Sequence, residues 1–500
     1  MKAPLFEIAI HKPRRGARTA ARMLHEQLRA AILDGRLRAG TKLPGTRYSR
    51  TVFGVSRNTA AEVYERLLNE GCVLTRSGSG TYVAKLRATS RRARPGAAAA
   101  SDRRLNDFWL RPEVTAAMNF WHEPPQKNGV ATRTRHSDFR PALVDSRLFP
   151  LDVFRRVSAR QLRRMQRKPP ALKSPQGNQG NYALRQAIMQ HIALTRGMAC
   201  EAGDVLVTAG AQQAFDLLAR TLVTTHRNVV ACEDPGYPPM RVAFAAAGAR
   251  VVPVPVDEEG LLVEKLPPDA GIICVCPSHQ FPLGVTMSSR RRRALIEFAR
   301  TRGAVIVEDD YDSEFRFEGR PLETLRTPDA ADLVFYVGTF SKCMLPSLRL
   351  GFVVVPAWAL PTLTAAKNCL DWHCPTPIQT AVASFIEEGH LARHVRKLRA
   401  LLDDRRGLLL SLLTTKLANW LVPMPSFYGM HIAAVAHDTV DVDAVTAALQ
   451  RHNITIHSLR RYYLGPQTRA GLVFGYAAVG LPEIRHALTR MQQLLVAADA

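Results

Sequence analysis

Two short stretches of the chain carry side chains that could act on one ligand. The β-branched run 304–307 predicts a buried strand, and it is followed by three acids and a tyrosine: Glu308, Asp309, Asp310 and Tyr311. A second predicted strand, 333–337, is followed by a glycine, two hydroxyl side chains and a lysine: Gly338, Thr339, Ser341 and Lys342. Ligand sites of open α/β sheets lie at the carboxyl ends of the strands. We therefore expect these side chains to converge on one site.

A lysine, a carboxylate and a phenol in one site suit the chemistry of pyridoxal 5'-phosphate (PLP). The amine of Lys342 can form a Schiff base with an aldehyde, and the carboxylate of Asp309 can keep a pyridine nitrogen protonated. The phenol of Tyr311 can hydrogen-bond the ring oxygen, while nearby hydroxyls and Arg349 can hold the phosphate. In the alternative, Asp309 caps a helix and Lys342 is a solvated loop lysine. This alternative requires that the lysine, the carboxylate, the phenol, the hydroxyls and the arginine occur together by chance.

The elements around these residues are typical of an α/β domain that covers residues 134–500. Strands and helices alternate along it, and further strands are predicted at 204–208, 229–232 and 272–275. The first leads to Ala211 and Gln212 at a helix N-terminus, where backbone amides bind phosphate well; simple turn geometry is the alternative for this junction. The second leads to Tyr237, which could cover the face of a ring, and the third leads to the loop that contains His279.

The first 84 residues predict a winged helix-turn-helix. Helical spacing favours helices over 19–33 and 46–53, and a third helix capped by Ser56 that ends near Gly71. Alternation over 73–83 predicts a two-stranded hairpin, the wing. In this fold the third helix meets base edges and phosphates. The candidate DNA-binding residues lie on the second helix, at the start of the third and in the wing: Arg47, Ser56, Arg57, Asn58, Thr59, Arg76, Gly78, Ser79 and Gly80. A small helical domain for protein contacts is the alternative.

Composition and charge favour a nucleic-acid partner. The 500 residues carry a formal net charge of +25, and residues 1–133 contain 25 basic but 10 acidic side chains, an imbalance that favours a polyanion. The stretch 85–104 is basic and alanine-rich, which is typical of a flexible linker, and the predicted linker 85–133 separates the predicted domains 1–84 and 134–500. Trp109, Phe120 and Trp121 interrupt its polar pattern and could dock the linker onto the second domain or onto a partner subunit. The eight cysteines lack metal-binding spacing, so we expect no metal and a reduced, cytoplasmic protein. No apolar run has membrane-spanning length.

Several segments resemble one family of bacterial regulators. LPGTR, GVSRNTAAEVYERLLNEG and GSGTYV resemble the DNA-binding domain of the GntR superfamily over residues 5–84. PSHQFPLGVTMS and EDDYDSEFRF resemble the MocR/GabR subfamily, which joins that domain to an aminotransferase class I/II-like, fold-type I PLP domain. The resemblance covers nearly the whole chain. It implies a multidomain protein with an N-terminal α+β winged helix-turn-helix domain and a C-terminal α/β PLP-dependent transferase fold.

The resemblance also implies roles for individual residues. Lys342 should carry the internal aldimine, Asp309 should pair with the pyridine nitrogen, Tyr311 should contact the ring oxygen and Tyr237 should stack on the ring. The phosphate should be held by five residues: Ala211, Gln212, Thr339, Ser341 and Arg349.

Two departures from the pattern of catalytic aminotransferases concern the ring oxygen and the substrate. The loop 279–282 reads His-Gln-Phe-Pro where aminotransferases place an asparagine before Pro-Thr-Gly, and His279 is its candidate cofactor contact. The strand GLVFGYAAV lacks the arginine that holds an α-carboxylate. Arg461, with Arg460 beside it, lies just upstream and could supply this clamp; a surface arginine pair is the alternative.

These residues together predict a PLP-dependent, DNA-binding transcriptional regulator. It would sense an amine, an amino acid or PLP itself through an aldimine at Lys342, and exchange of the aldimine would shift the placement of its two modules. The resemblance implies a head-to-tail, domain-swapped homodimer, which also suits paired half-sites on double-stranded DNA. Two alternatives stay open: an active aminotransferase with a DNA-binding appendage, and a DNA-binding protein whose transferase fold no longer binds PLP.

Overall fold

A computed structural model describes residues 17–76, 78–85, 106–120, 136–141, 143–169, 177–317, 323–425 and 427–499. The chain divides into two compact units, Met1–Asp102 and Arg103–Ala500. The division falls within the stretch 85–133 that the sequence predicts as a linker.

The smaller unit is a winged helix-turn-helix, as predicted. Its elements are three helices, a 3-10 turn and an antiparallel hairpin: α1 (Ala17–Leu33), the turn Thr46–Tyr48, α2 (Ser49–Val52), α3 (Arg57–Asn69), β1 (Val73–Arg76) and β2 (Gly80–Val83). The α3 helix begins where the sequence predicts, because Ser56 Oγ accepts a hydrogen bond from the Thr59 amide at 3.1 Å. Its apolar stripe, with Val63 and Leu67 wholly buried, packs against α1. This core holds the first turn of α3 at the surface.

The larger unit is an α/β domain of eleven helices and fourteen strands among the described residues. The helices are α4 (Pro112–Met118), α5 (Leu151–Arg167), α6 (Tyr182–Arg196), α7 (Ala211–Leu222), α8 (Pro238–Ala246), α9 (Ser289–Arg302), α10 (Leu360–Asp371), α11 (Thr376–Glu387), α12 (His390–Thr415), α13 (Val442–Arg451) and α14 (Leu481–Asp499). The strands are β3 (Ser137–Asp138), β4 (Val205–Thr208), β5 (Val229–Asp234), β6 (Arg250–Asp257), β7 (Gly260–Leu261), β8 (Ile272–Val275), β9 (Val305–Asp310), β10 (Val334–Thr339), β11 (Gly351–Val354), β12 (Leu421–Pro423), β13 (His431–Ala436), β14 (Ile454–Thr455), β15 (His457–Ser458) and β16 (Gly471–Gly475).

An eight-stranded mixed sheet organises this unit, in the order β4-β11-β10-β9-β8-β5-β6-β7. The strands from β10 to β6 run parallel. Helices α7, α8 and α10 cover one face and α9 covers the other, which is why strands such as β4 and β8 are apolar on both sides. A second sheet, β12-β13-β16-β15, lies in the C-terminal part. Since β9 and β10 extend further than predicted, Asp309 belongs to a strand and Lys342 follows one closely.

Residues 106–120 differ from the prediction of a flexible linker. They form a 3-10 turn, Asp107–Leu110, followed by α4, and α4 packs on α8. Phe120 is only 2% exposed, because its ring enters an aromatic cluster of the larger unit. Burial of this side chain offsets the entropic cost of ordering the segment. The residues 86–105 and 121–133 of the predicted linker lie outside the described residues.

No helix in the described ranges combines the length and the apolar character that a membrane span requires.

Candidate functional site

A cavity of about 330 Å³ lies at the carboxyl ends of β9 and β10. Nine of the ten predicted cofactor residues line it: Ala211, Gln212, Tyr237, Asp309, Tyr311, Thr339, Ser341, Lys342 and Arg349. Sequence reasoning missed the apolar remainder of the wall: Leu143, Val144, Phe215, Phe281 and Pro346. Phe281 belongs to the loop already singled out, and Pro346 lies between Lys342 and Arg349. The sequence could therefore have identified both as residues that line the cavity. Nothing in the sequence pointed to Leu143 or Val144.

The alternation of side chains along β9 decides which of its three acids serves the cavity. Glu308 accepts a hydrogen bond from the Leu325 amide at 2.9 Å. Asp310 pairs with Arg196 at 2.8 Å and accepts a hydrogen bond from Tyr336. Successive side chains of a strand point to opposite faces, so Asp309 is the one that lines the cavity.

The carboxylate of Asp309 is suited to accept a hydrogen bond from a positively charged donor. Its Oδ2 atom lies 3.8 Å from Cys276 Sγ, whereas its buried Oδ1 atom has no hydrogen-bond partner among the residues that the structure describes. Burial, together with the neighbouring carboxylates of Asp310 and Asp312, raises the pKa of Asp309 to about 7. An unpartnered buried carboxylate oxygen is costly, and a protonated ring nitrogen would satisfy it.

Lys342 is prepared to act as a nucleophile. Burial lowers the pKa of its amine to about 8, although the Asp312 and Asp309 carboxylates oppose that shift. The amine is therefore neutral in a larger fraction of molecules near neutral pH than an ordinary lysine is, and only the neutral form attacks an aldehyde.

This reactivity can be measured without any cofactor. We expect cyanate to carbamylate Lys342 several-fold faster than the exposed Lys265 at about pH 8, because the lowered pKa leaves more neutral amine. Mass spectrometry of peptides from the ligand-free protein gives both rates in one sample. Equal rates, or slower modification of Lys342, would contradict the lowered pKa.

An anion pocket lies at the other end of the cavity. The α7 helix begins at Ala211 and its first-turn amides are available to an anion. Gln212 donates one side-chain N–H to Pro239 O at 3.1 Å, and its backbone amide belongs to the first turn of α7. Thr339 and Ser341 add hydroxyls, which lie 3.0 Å apart.

Arg349 completes the anion pocket through an unusual backbone conformation. Its φ of 47° lies in the left-handed region, and its Nη2 atom donates to Ala209 O at 3.0 Å. Gly210 permits this approach: its φ is +81°, and a Cβ atom there would lie 3.0 Å from the Arg349 guanidinium.

An aromatic wall closes one side of the cavity. Tyr237 packs edge-to-face against Phe215, Phe281 and Phe120, with ring centroids 6.4, 5.7 and 5.9 Å away. Phe281 is therefore the side chain that the 279–282 loop presents to the cavity. Where the pattern of aminotransferases has an amide, this protein has an apolar ring.

The structure places His279 behind Tyr311 and outside the cavity wall. His279 is 2% exposed, its Nδ1 atom lies 2.9 Å from Tyr311 Oη, and both Asp312 oxygens lie 3.1 Å from the same nitrogen. His431 lies beside it, and one possible ligand atom each of His279, Asp312 and His431 fall within 4.8 Å of one another. His279 thus contacts Tyr311, which lines the cavity, but does not itself line it.

Arg460 and Arg461 line a different cavity, of about 490 Å³, together with Arg140 and His457. Arg460 is held by Asp443 at 3.0 Å. Neither arginine lines the cavity that contains Lys342.

The residues of the first cavity fit PLP. Lys342 would hold the aldehyde carbon, the unpartnered Asp309 oxygen the ring nitrogen, and Tyr311 the ring oxygen, while Tyr237 would cover the ring and the Arg349 pocket would hold the phosphate. When bound, PLP supplies an aldehyde that condenses with amines and a ring that withdraws electrons.

The smaller unit presents the predicted DNA-binding residues at its surface. Arg47, Arg57 and Asn58 are exposed, whereas Thr59 is half-buried. Ser56 is engaged as the cap of α3.

The wing of this unit is braced by Tyr82. Ser79 Oγ lies 2.6 Å from the Tyr82 hydroxyl, and the Arg76 guanidinium lies 5.0 Å from the centre of the Tyr82 ring. Sequence reasoning missed Lys42, whose exposed amine lies 5.7 Å from the same ring. These cations give the wing a positive surface, as phosphate binding requires.

Two family models match the chain. Residues 148–490 match the aminotransferase class I and II model, and residues 20–83 match the model of bacterial regulatory proteins of the gntR family.

The curated relatives of the chain include named regulators. It is 33% identical over 480 residues to a probable rhizopine catabolism regulatory protein, MocR, of Rhizobium meliloti, with 96% of this chain and 94% of the relative covered. It is 31% identical over 456 residues to the pyridoxine biosynthesis transcriptional regulator PdxR of Corynebacterium glutamicum, with 91% of each covered.

The solved structures that the chain resembles include aminotransferases. A multiple substrate aminotransferase of Thermococcus profundus matches with a TM-score of 0.67 and 21% identity, covering 78% of this chain and 98% of the enzyme. An α-aminoadipate aminotransferase of Thermus thermophilus, complexed with N-(5'-phosphopyridoxyl)-L-leucine, matches with a TM-score of 0.64 and 25% identity, covering 73% of this chain and 92% of the enzyme. These similarities confirm the fold predicted for the larger unit.

Proposed function

The chain belongs to the MocR/GabR subfamily of GntR regulators, which join a winged helix-turn-helix to an aminotransferase class I and II domain, and from this we propose how it senses its ligand. It is a PLP-dependent, DNA-binding transcriptional regulator. One observation carries the proposal: a cavity with a reactive Lys342 and an unpartnered Asp309 oxygen lies in the same chain as a DNA-binding domain. We propose that an amine, an amino acid or PLP itself is the effector, and that it is detected at Lys342.

The effector class follows from what Lys342 and the cavity can accept. An amine would compete with the lysine amine for the aldehyde carbon of bound PLP, whereas PLP itself would bind in the cavity. The apolar wall around Leu143, Val144 and Phe281 favours an effector with a small apolar body. The clamp for an effector carboxylate stays a prediction, because Arg461 lines a separate cavity and Arg460, in that same cavity, pairs with Asp443 at 3.0 Å.

Dimer formation and location complete the proposal. A head-to-tail, domain-swapped homodimer in the cytoplasm would present two winged domains to paired half-sites of an operator. The family resemblance supports this assembly, and the basic first 133 residues support DNA as its partner.

A titration tests the proposed sensing. The full chain, loaded with PLP, is titrated with a panel of amines and amino acids, while the absorbance of the lysine-bound cofactor and the affinity for the promoter region of its own gene are recorded. We expect one class of compound to change both signals together. If no compound and no change in PLP occupancy alters DNA affinity, sensing at Lys342 is wrong.

A second candidate function is transamination. Lys342, Asp309 and Tyr311 all line the cavity, as an aminotransferase needs. Against it stands Phe281, which occupies the place of a polar amide in the wall. Steady multiple turnover with an amino acid and a 2-oxo acid would favour the enzyme over the sensor.

Phe120 connects the cavity wall with segment 106–120, which lies on the DNA-binding-domain side of the larger unit in the sequence. Its ring centroid lies 5.9 Å from that of Tyr237 and 6.4 Å from that of Phe281, and both of these residues line the cavity. A ligand that moves either ring changes the docking of residues 106–120.

We therefore expect Phe120→Ala to uncouple effector binding from the change in DNA affinity. PLP should still attach to Lys342, but the effector-induced change in DNA affinity should fall several-fold or more, because a buried aromatic anchor of this segment contributes about 3 kcal/mol or more. Mobility-shift titrations with and without effector measure this. Trp109→Ala, in the same segment but 53% exposed, is the control. A Phe120→Ala protein that responds like the wild type would exclude this route.

A further inference from the structure

Behind the cavity wall lies a buried chain of hydrogen bonds that the cofactor site does not itself explain. Asp312, His279 and Tyr311 are 1%, 2% and 8% exposed. They connect in that order through His279 Nδ1, which lies 3.1 Å from the Asp312 carboxylate and 2.9 Å from Tyr311 Oη. Only Tyr311 lines the cavity. Asp312 and His279 can therefore act on the cavity through the Tyr311 hydroxyl.

The carboxylate decides which tautomer His279 adopts. A charged carboxylate only accepts hydrogen bonds, so a ring nitrogen beside both of its oxygens must carry a proton. His279 Nδ1 is therefore a donor, and it cannot accept the Tyr311 proton. Close packing fixes the ring in this position, because a Cβ atom on Gly429 would lie only 2.2 Å from His279 Nδ1 and 2.5 Å from an Asp312 oxygen.

The protonated His279 Nδ1 restricts the directions in which the Tyr311 hydroxyl can donate its proton. A ring nitrogen that carries a proton has no lone pair to offer, so the Tyr311 hydroxyl cannot donate to His279 Nδ1, 2.9 Å away, and its single proton points elsewhere. The Tyr311 hydroxyl donates to the His279 carbonyl oxygen at 3.0 Å. A ligand oxygen in the cavity is the other acceptor it can reach. Burial raises the pKa of Tyr311 well above its ordinary value, so the hydroxyl keeps its proton.

We propose that Asp312 and His279 are positioning residues that make Tyr311 a hydrogen-bond donor, and never an acceptor, toward an anionic oxygen of the ligand in this cavity. The inference rests on the proposed function, in which that oxygen belongs to the PLP ring. It accounts for the 279–282 loop as well: the side chain of Phe281 contributes no donor, and the same loop supplies His279, which directs the Tyr311 proton toward the ligand.

Asp312→Asn tests the chain with little change of shape. Asparagine removes the carboxylate that holds the proton on His279 Nδ1, so the histidine can carry its proton on the other ring nitrogen and Nδ1 becomes an acceptor. Tyr311 would then give its proton to His279 and not to the ligand. We expect PLP affinity of the full chain to fall roughly tenfold to a hundredfold, the range for one hydrogen bond to a charged group, and the absorbance maximum of bound PLP to shift.

A double-mutant cycle separates positioning from mere structural support. In a Tyr311→Phe protein, which has no hydroxyl, Asp312→Asn should cause no further loss of PLP affinity and no further spectral shift. His279→Asn should restore most of the wild-type behaviour where His279→Ala does not, because the asparagine amide can place a donor near the former Nδ1. If Asp312→Asn weakens PLP binding equally with and without the Tyr311 hydroxyl, the proposal is overturned.

Two further outcomes are distinguishable. A wild-type protein that binds no PLP would defeat the proposed function itself, whatever the variants do. One equivalent of a transition metal in the purified protein, lost in a His431→Ala variant, would show that His279, Asp312 and His431 are metal ligands and would overturn the positioning role. Metal analysis of the same samples decides this.

Discussion

Replacement of Lys342 by alanine is expected to abolish the absorbance of lysine-bound PLP and every effector-dependent change in DNA affinity. Lys342 is the one amine among the residues that line the described cavity, so no neighbour can replace it as the attachment point. PLP would then be held only by the Arg349 pocket and ring contacts. Absorbance spectra of the purified protein, followed by mobility shifts with and without effector, measure both effects.

The Lys342→Ala protein should still fold and still bind DNA. Burial lowers the pKa of this amine, which means that the folded state disfavours its charge, and its removal relieves that cost. Lys265→Ala, which removes an exposed lysine, is the control and should leave the spectrum unchanged. If the alanine variant keeps a covalent PLP band and a full effector response, detection occurs elsewhere.

Arg57→Ala is the second substitution with a large expected effect. Arg57 is the first residue of α3 and is exposed, at the end of the helix that reads DNA in this fold. Loss of one arginine contact to a base or phosphate costs about 1–3 kcal/mol, or roughly tenfold to a hundredfold in affinity, and a dimer loses two such contacts. Mobility shifts at several salt concentrations measure the loss.

Salt dependence shows what kind of contact Arg57 makes. If it neutralises a phosphate, the slope of log affinity against log salt should fall by about one per site. Arg66→Ala is the matched control, because Arg66 lies near the other end of α3 and pairs with Glu62 at 2.6 Å. Equal losses for both variants would mean that α3 does not meet DNA through its first turn.

Most of the winged domain could be predicted from sequence because its signals are local. Ser56 is followed three residues later by the amide that it caps, and the α3 stripe repeats at helical spacing. The wing follows from alternation over eleven residues. For segment 106–120 the sequence offered docking on the second domain or on a partner subunit and could not decide between them, because the order depends on Phe120 meeting partners more than a hundred residues away.

The chemistry of the cofactor site was also determined by the sequence alone. The types and order of Asp309, Tyr311 and Lys342 implied PLP, since strands of an α/β sheet deliver such residues to one edge. The linear sequence does not show which way each of these side chains points. Only the sheet, with its parallel pairing of β9 and β10, turned Asp309 to the cavity and Asp310 to Arg196. Only packing between distant loops placed Asp312 behind His279 and His279 behind Tyr311, and set Arg460 and Arg461 in another cavity, because side-chain distances across elements depend on tertiary contacts.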